Sequence, residues 1–120
     1  MKLLVLMMLA AAMTFGQTKK SYWLIKIEPA REGFIQSMTV EEKKVMGEHF
    51  EYLKGKLKEG KLVLAGPGMD REKPLGIILV EVPTREEAEQ IAQNDPSVKA
   101  GVQLAKVYQF HMSLARDGIR

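Results

Sequence analysis

The spacing of apolar residues changes along the chain, and each change predicts an element. Leu3 to Met13 is an unbroken apolar run. Tyr22 to Ile27 is rich in aromatic and β-branched residues and predicts a first strand, stopped by Pro29. Residues 30–38 read as a loop. From Thr39 the spacing turns helical, and Thr39 with Glu42 forms a capping-box pattern. This helix should run to about Lys58, with Gly60 as its C-terminal stop. Lys61 to Ala65 predicts a second strand, ended by Gly66-Pro67-Gly68. A loop through Asp70 and Pro74 leads to a third strand, Gly76 to Val82, broken by Pro83. Thr84 and Glu87 repeat the capping pattern, so a second helix is expected from Arg85 to Gln93, ended by Asp95-Pro96. Val102 to Phe110 is the fourth strand, and the tail from Ser113 is expected to fray.

The βαββαβ order predicts an α+β, ferredoxin-like fold, with an antiparallel sheet and two helices on one face. On the first helix, Met46, Phe50, Leu53 and Leu57 share one stripe and are expected to face the sheet. Val45, His49, Tyr52 and Lys56 form the stripe beside it, at the border of the core. A sheet wet on one face should alternate apolar and polar residues. These strands do not: Ile78, Val80 and Val82 point one way, Ile77 and Leu79 the other. Tyr22 and Leu24 likewise oppose Trp23, Ile25 and Ile27. Both sheet faces are therefore expected to be covered, the second by another copy of the same sheet in a homodimer.

The ends of the chain change the picture of where it works. Met1-Lys2, the apolar run and the small residues around Gly16 make the three-part pattern of a signal peptide. The run is about half of the ~20 residues needed to cross a bilayer, so no stable membrane anchor is expected. Residues 1–16 are read as the signal peptide and 17–120 as one domain, exported to a periplasmic or secreted location. Without cysteine there is no disulfide, so stability rests on the core and on a partner subunit. The formal net charge of +3 is spread through interleaved lysines, arginines and acids, which argues against nucleic-acid binding. The third strand also lacks the aromatic residues on which RNA bases stack.

Candidate chemistry is sparse. There are two histidines, no phosphate loop and no clustered metal ligands, so no metal site and no cofactor is predicted. His49, at the core border, is the best placed group for proton transfer. Asp95-Pro96 suits a helix N-cap followed by proline at the first helical position, and a carboxylate retains acceptor sites for a second partner. Gly66-Pro67 allows a tight turn and close approach. Tyr52, one helical turn after His49, is a candidate ligand contact, as is Arg71 beside Asp70 in the following loop. His111 falls at a strand end and is expected on the surface.

Taken together, Met38-Thr39, Glu42, His49, Tyr52, Gly60, Gly66-Pro67, Asp70, Gly76, Glu81, Asp95-Pro96, Val98 and Ala100-Gly101 resemble the YCII-related (YciI-like) family in order and spacing, from Tyr22 to Phe110. The resemblance implies a dimeric α+β barrel and an active site built on His49 and Asp95. It also implies relatives that act on small cyclic or chlorinated aromatic compounds, by dehydrochlorination or lactone-type chemistry. The chain departs from the family pattern in two places. Met46 stands where many members carry arginine, and Ser97 where many carry an aromatic residue.

The favoured reading is a small cofactor-independent enzyme of lyase, isomerase or hydrolase type. In it His49 and Asp95 catalyse elimination, isomerisation or lactone-type chemistry on a small cyclic molecule, with Tyr52, Gly66, Pro67 and Arg71 binding the substrate. The alternative is a non-catalytic module that binds a small ligand or a partner, with His49 only lining the cavity.

Overall fold

The computed structural model describes residues 21–119, so the apolar run and the expected cut after Gly16 lie outside the described residues. Strand β1 spans Tyr22–Pro29, helix α1 Val40–Lys58, β2 Leu62–Pro67, β3 Gly76–Glu81, α2 Arg85–Gln93, the short helix α3 Pro96–Lys99, and β4 Gln103–Phe110. The strands form one antiparallel sheet in the order β2-β3-β1-β4. This is the expected ferredoxin-like arrangement, with β3 inserted between β1 and β2.

The first capping box forms in full and the second in half, with only the Thr84 side chain engaged. Thr39 Oγ1 accepts from the Glu42 amide at 3.1 Å, and Glu42 Oε1 accepts from the Thr39 amide at 2.9 Å. Thr84 Oγ1 accepts from the Glu87 amide at 3.2 Å. At the other end of α1, Gly60 adopts φ +76°, which lets its amide reach the Leu57 carbonyl and the Lys61 amide the Lys56 carbonyl. That pair of bonds satisfies carbonyls the helix leaves open, and only glycine enters this conformation without strain.

Two strands run further than proline suggests. Pro29 stays in β1, paired with Gln103, and Pro67 stays in β2, paired with Gly76. Each lies at a strand end, and β2 is an edge strand, where a missing N–H breaks no central ladder. Gly66-Pro67 is thus part of a strand, not the turn that ends it. A bulge interrupts β2 between Leu62 and Leu64, which pair with Val80 and Leu79. Gly76 lies against Ile27, and a Cβ there would come within 2.8 Å of Ile27 Cδ1.

The core lies between the sheet and the helices. Trp23, Ile25 and Ile27 of β1 meet Ile78 and Val80 of β3, with Leu53 of α1 and Ala88, Ile91 and Ala92 of α2 packed over them. The expected phase of α1 needs correction. Of the stripe meant to face the sheet, only Leu53 is buried, while Phe50 is 62% and Leu57 58% exposed. The half-buried side is the neighbouring one, with Val45, His49, Tyr52 and Lys56. The helix sits over α3 and the edge strand β2, not over the middle of the sheet. Its apolar stripe is rotated toward an open cleft.

The far sheet face is defined by pairing, since directly opposed residues point the same way. Leu24 pairs with Leu79 and Tyr108, and Glu28 with Leu104. Leu79 is buried in the middle of this face, but Leu104 is 59% exposed and Tyr108 and Phe110 are also open. Lys26 and Lys106 stand opposite each other on the same face. Among the described residues no helix is long and apolar enough to cross a membrane.

Candidate active site

His49 lies in the middle of α1, one turn before the buried Leu53, so the core fixes its side of the helix. Asp95 is the N-cap of α3, and its Oδ1 accepts from the Ser97 amide at 2.9 Å. Pro96 at the first helical position has no N–H to satisfy. The short helix ends at Gly101, φ +73°, where the Val102 amide donates to the Ser97 carbonyl at 2.9 Å. This closure puts Gln103, the first residue of β4, back beside Ser97.

Four side chains meet there. His49 Nδ1 lies 2.7 Å from Asp95 Oδ2. Ser97 Oγ lies 2.8 Å from Asp95 Oδ1, 2.9 Å from the Gln103 amide and 3.4 Å from His49 Nδ1. Asp95 is 2% exposed, and Ser97 is fully buried. An ionised carboxylate only accepts, so Nδ1 carries the proton given to Asp95 and the neutral ring keeps its lone pair on Nε2. Nε2 has no hydrogen-bond partner among the described residues. Among the described residues no sealed side-chain nitrogen or oxygen is left unpaired, so Nε2 is not shut inside the core.

His49 lines a cleft of about 830 Å³ between α1, β2 and the loops before α1 and after β2. Phe34, Met46, Phe50, Leu53 and Leu57 make much of its apolar wall, and Ala65, Gly66 and Pro67 make the β2 side. Phe34, in the first loop, is buried. Asp70 and Arg71 lie on the loop that completes the cleft. Met46 puts an apolar group on this wall.

His49, Gly66, Pro67 and Arg71 therefore border one cavity, and Asp95 stands directly behind His49. Tyr52 does not join them. Its hydroxyl donates to the Ile91 carbonyl at 2.8 Å, tying α1 to α2 away from the cleft. Burial, and then the negative charges of Asp95 and Glu59, push that hydroxyl up to about 12. His111 is exposed just beyond β4. Ser97 and Gln103 were not picked out by sequence reasoning. Gln103 did carry a signal, because strand alternation puts it on the core side with Ala105 and Val107, where a polar residue needs a partner.

The first loop is clamped to α1 by Arg31. Its Nε donates to Glu42 Oε2 at 2.9 Å, and a second guanidinium nitrogen donates to Glu42 Oε1 at 2.7 Å and to the Ser37 carbonyl at 2.8 Å. The Arg31 guanidinium, followed by the Thr39 amide, holds the Glu42 carboxyl down at about 2. Among the described residues no three metal-ligating side chains come together.

A ferredoxin-like α+β domain with a buried histidine–aspartate pair behind an apolar cleft is the class that this fold and site define. The chain belongs to the YCII-related domain family, which matches residues 22–111. Among solved structures it is similar to the 5-chloro-2-hydroxyhydroquinone dehydrochlorinase TftG of Burkholderia phenoliruptrix, determined with 2,5-dihydroxybenzoquinone. That match has 22% identity and a TM-score of 0.58, and covers 75% of this chain and 93% of that one. It is also similar to an uncharacterized protein, TM1266, of Thermotoga maritima, at 15% identity and a TM-score of 0.46, covering 78% and 100%. Comparison with curated proteins gives no match.

Proposed function

We propose that this protein is a small cofactor-independent enzyme in which His49 is the general base or acid and Asp95 orients it. The observation that carries this reading is the 2.7 Å contact between His49 Nδ1 and Asp95 Oδ2 behind an apolar cleft. Asp95 accepts the Nδ1 proton and fixes the tautomer, leaving Nε2 to take a proton from a bound molecule. In an elimination, Nε2 takes a proton, the electrons left behind form the new double bond, and the leaving group departs with its pair. Isomerisation returns the proton to another atom instead. The dehydrochlorinase activity named for the structural neighbour is an elimination of this type. The apolar cleft suits a small ring compound, held there by exclusion of water.

His49→Gln tests the assignment. On a panel of small cyclic halides and lactones, turnover should fall roughly 10²–10⁴-fold, the usual contribution of one proton-transfer group. Affinity for the same compounds should change little. Equal turnover in wild type and variant would return His49 to a lining role, as in a non-catalytic binding module.

Two further properties belong to the same reading. The chain acts as a homodimer through its open sheet face, which sedimentation would show as twice the chain mass. It is exported after loss of residues 1–16, so the mass of the exported protein should correspond to a start at Gln17.

A further inference from the structure

Gln103 is the polar side chain near His49 that the proposed reaction leaves without a task. It is 7% exposed, it borders the cleft, and it shares Ser97 with Asp95. A proton count decides which way its amide faces. Ser97 Oγ has one proton and two oxygen neighbours, Asp95 Oδ1 at 2.8 Å and Gln103 at 2.9 Å. An ionised carboxylate cannot donate, so the serine proton goes to Asp95. Ser97 Oγ then offers Gln103 a lone pair. The Gln103 atom facing it carries the Oε1 assignment, which would set two acceptors against each other. A half-turn of the amide, whose two ends have the same shape, puts the NH₂ group there instead.

The other amide atom is then Oε1. It has no hydrogen-bond partner among the described residues and is not sealed from solvent, and Gln103 itself lines the cleft. His49 lines the same cleft, with Nδ1 turned to Asp95 behind it. The cationic donors of the cleft are engaged or peripheral. Lys54 Nζ lies over the Phe50 ring and 3.4 Å from Glu51, and Arg71 belongs to the outer loop.

We propose that Gln103 is a specificity-determining residue. Held by Ser97, its amide carbonyl presents a second acceptor beside His49, and the site selects small apolar molecules that carry two hydrogen-bond donors. One donor meets Nε2 and the other meets Gln103 Oε1. This rests on the reading of His49 as a neutral base, and it assigns the chemical class of ligand to that site.

Catechol, with two donors, and 2-methoxyphenol, with one, make a matched pair of probes for titration calorimetry. Wild type should bind catechol about tenfold more tightly, the scale of one added hydrogen bond to a buried acceptor. Gln103→Met keeps the volume and removes the acceptor. The preference should drop to within about twofold, while 2-methoxyphenol affinity holds. An undiminished preference in Gln103→Met, or none in wild type, overturns the proposal. Nuclear Overhauser contacts between the Gln103 NH₂ protons and the Ser97 β protons give a second reading that needs no variant and no ligand. Their absence also overturns it. Neither measurement reads turnover, so a failure of His49 as a base would appear separately, in its imidazole ¹⁵N shifts.

Discussion

Asp95 serves two partners with two oxygens: Oδ1 caps α3, and Oδ2 holds the imidazole. Asparagine caps helices about as well as aspartate. Asp95→Asn should therefore keep stability to within about 1 kcal/mol. Its NH₂ group would face Nδ1, however, and force the ring proton onto Nε2. Imidazole ¹⁵N shifts should show the tautomer reversed, with turnover lost. A variant that lost activity without changing tautomer would show that orientation is not what Asp95 supplies. At this scale the sequence was partly legible. Helical spacing put His49 at the core border, and Asp-Pro announced a cap. The pairing of the two came only with the family resemblance, because their 46-residue separation leaves no local trace. Ser97 stood out only as a departure from the family, and its role depends on the closure at Gly101 that returns β4 to the site.

Element boundaries followed from caps and glycines, which are local and strong signals. The phase of α1 did not. Two adjacent stripes were available, and the one richer in large apolar residues was expected to face the sheet. The structure turns Phe50 and Leu57 to the cleft because α1 rests on α3 and the edge strand. Composition does not reveal whether an apolar stripe faces a core or a cavity. The loop before α1 is pinned by Arg31 and Glu42, and this clamp sets a pH dependence. Glu42 has its folded pKa lowered to about 2 from 4.5. Between those values the unfolded chain binds the extra proton, so stability falls as pH drops through that window and is fully present above it. Arg31→Met should flatten this stretch. Denaturation midpoints of wild type and variant should converge as the pH falls from about 4.5 toward 2. Parallel curves would mean the clamp contributes nothing to folding.

For the whole molecule, the βαββαβ order was legible because the apolar spacing changed between elements and both helices carried capping residues. Two of the expected strand stops, Pro29 and Gly66-Pro67, nonetheless lie inside their strands. Assembly was legible only as an expectation, from strands that do not alternate. The open face, with Leu104, Tyr108 and Phe110 beside Lys26 and Lys106, is consistent with burial against a second copy. A stable interface of this kind needs roughly 800 Å² from each partner. Leu104→Glu sets a carboxylate from each copy into such a contact. Sedimentation should then report the single-chain mass, with the circular dichroism of the sheet retained. A wild type that is already monomeric at micromolar concentration would remove the dimer from the account.

The bulge in β2 has a consequence for how the chain tolerates insertion and deletion. Leu62 pairs on the core side and Leu64 on the open side, so Val63 is the extra residue that lets two leucines two apart face opposite ways. Deleting Val63 would leave an ordinary alternating strand with every later side chain on its present face. The same loss inside β1, at Ile25, would turn its remaining half over and send core residues to solvent. A chain lacking Val63 should melt cooperatively, and one lacking Ile25 should not fold. Length variation in this family is then expected to be accepted at the edge of the sheet beside the cleft and refused at its centre.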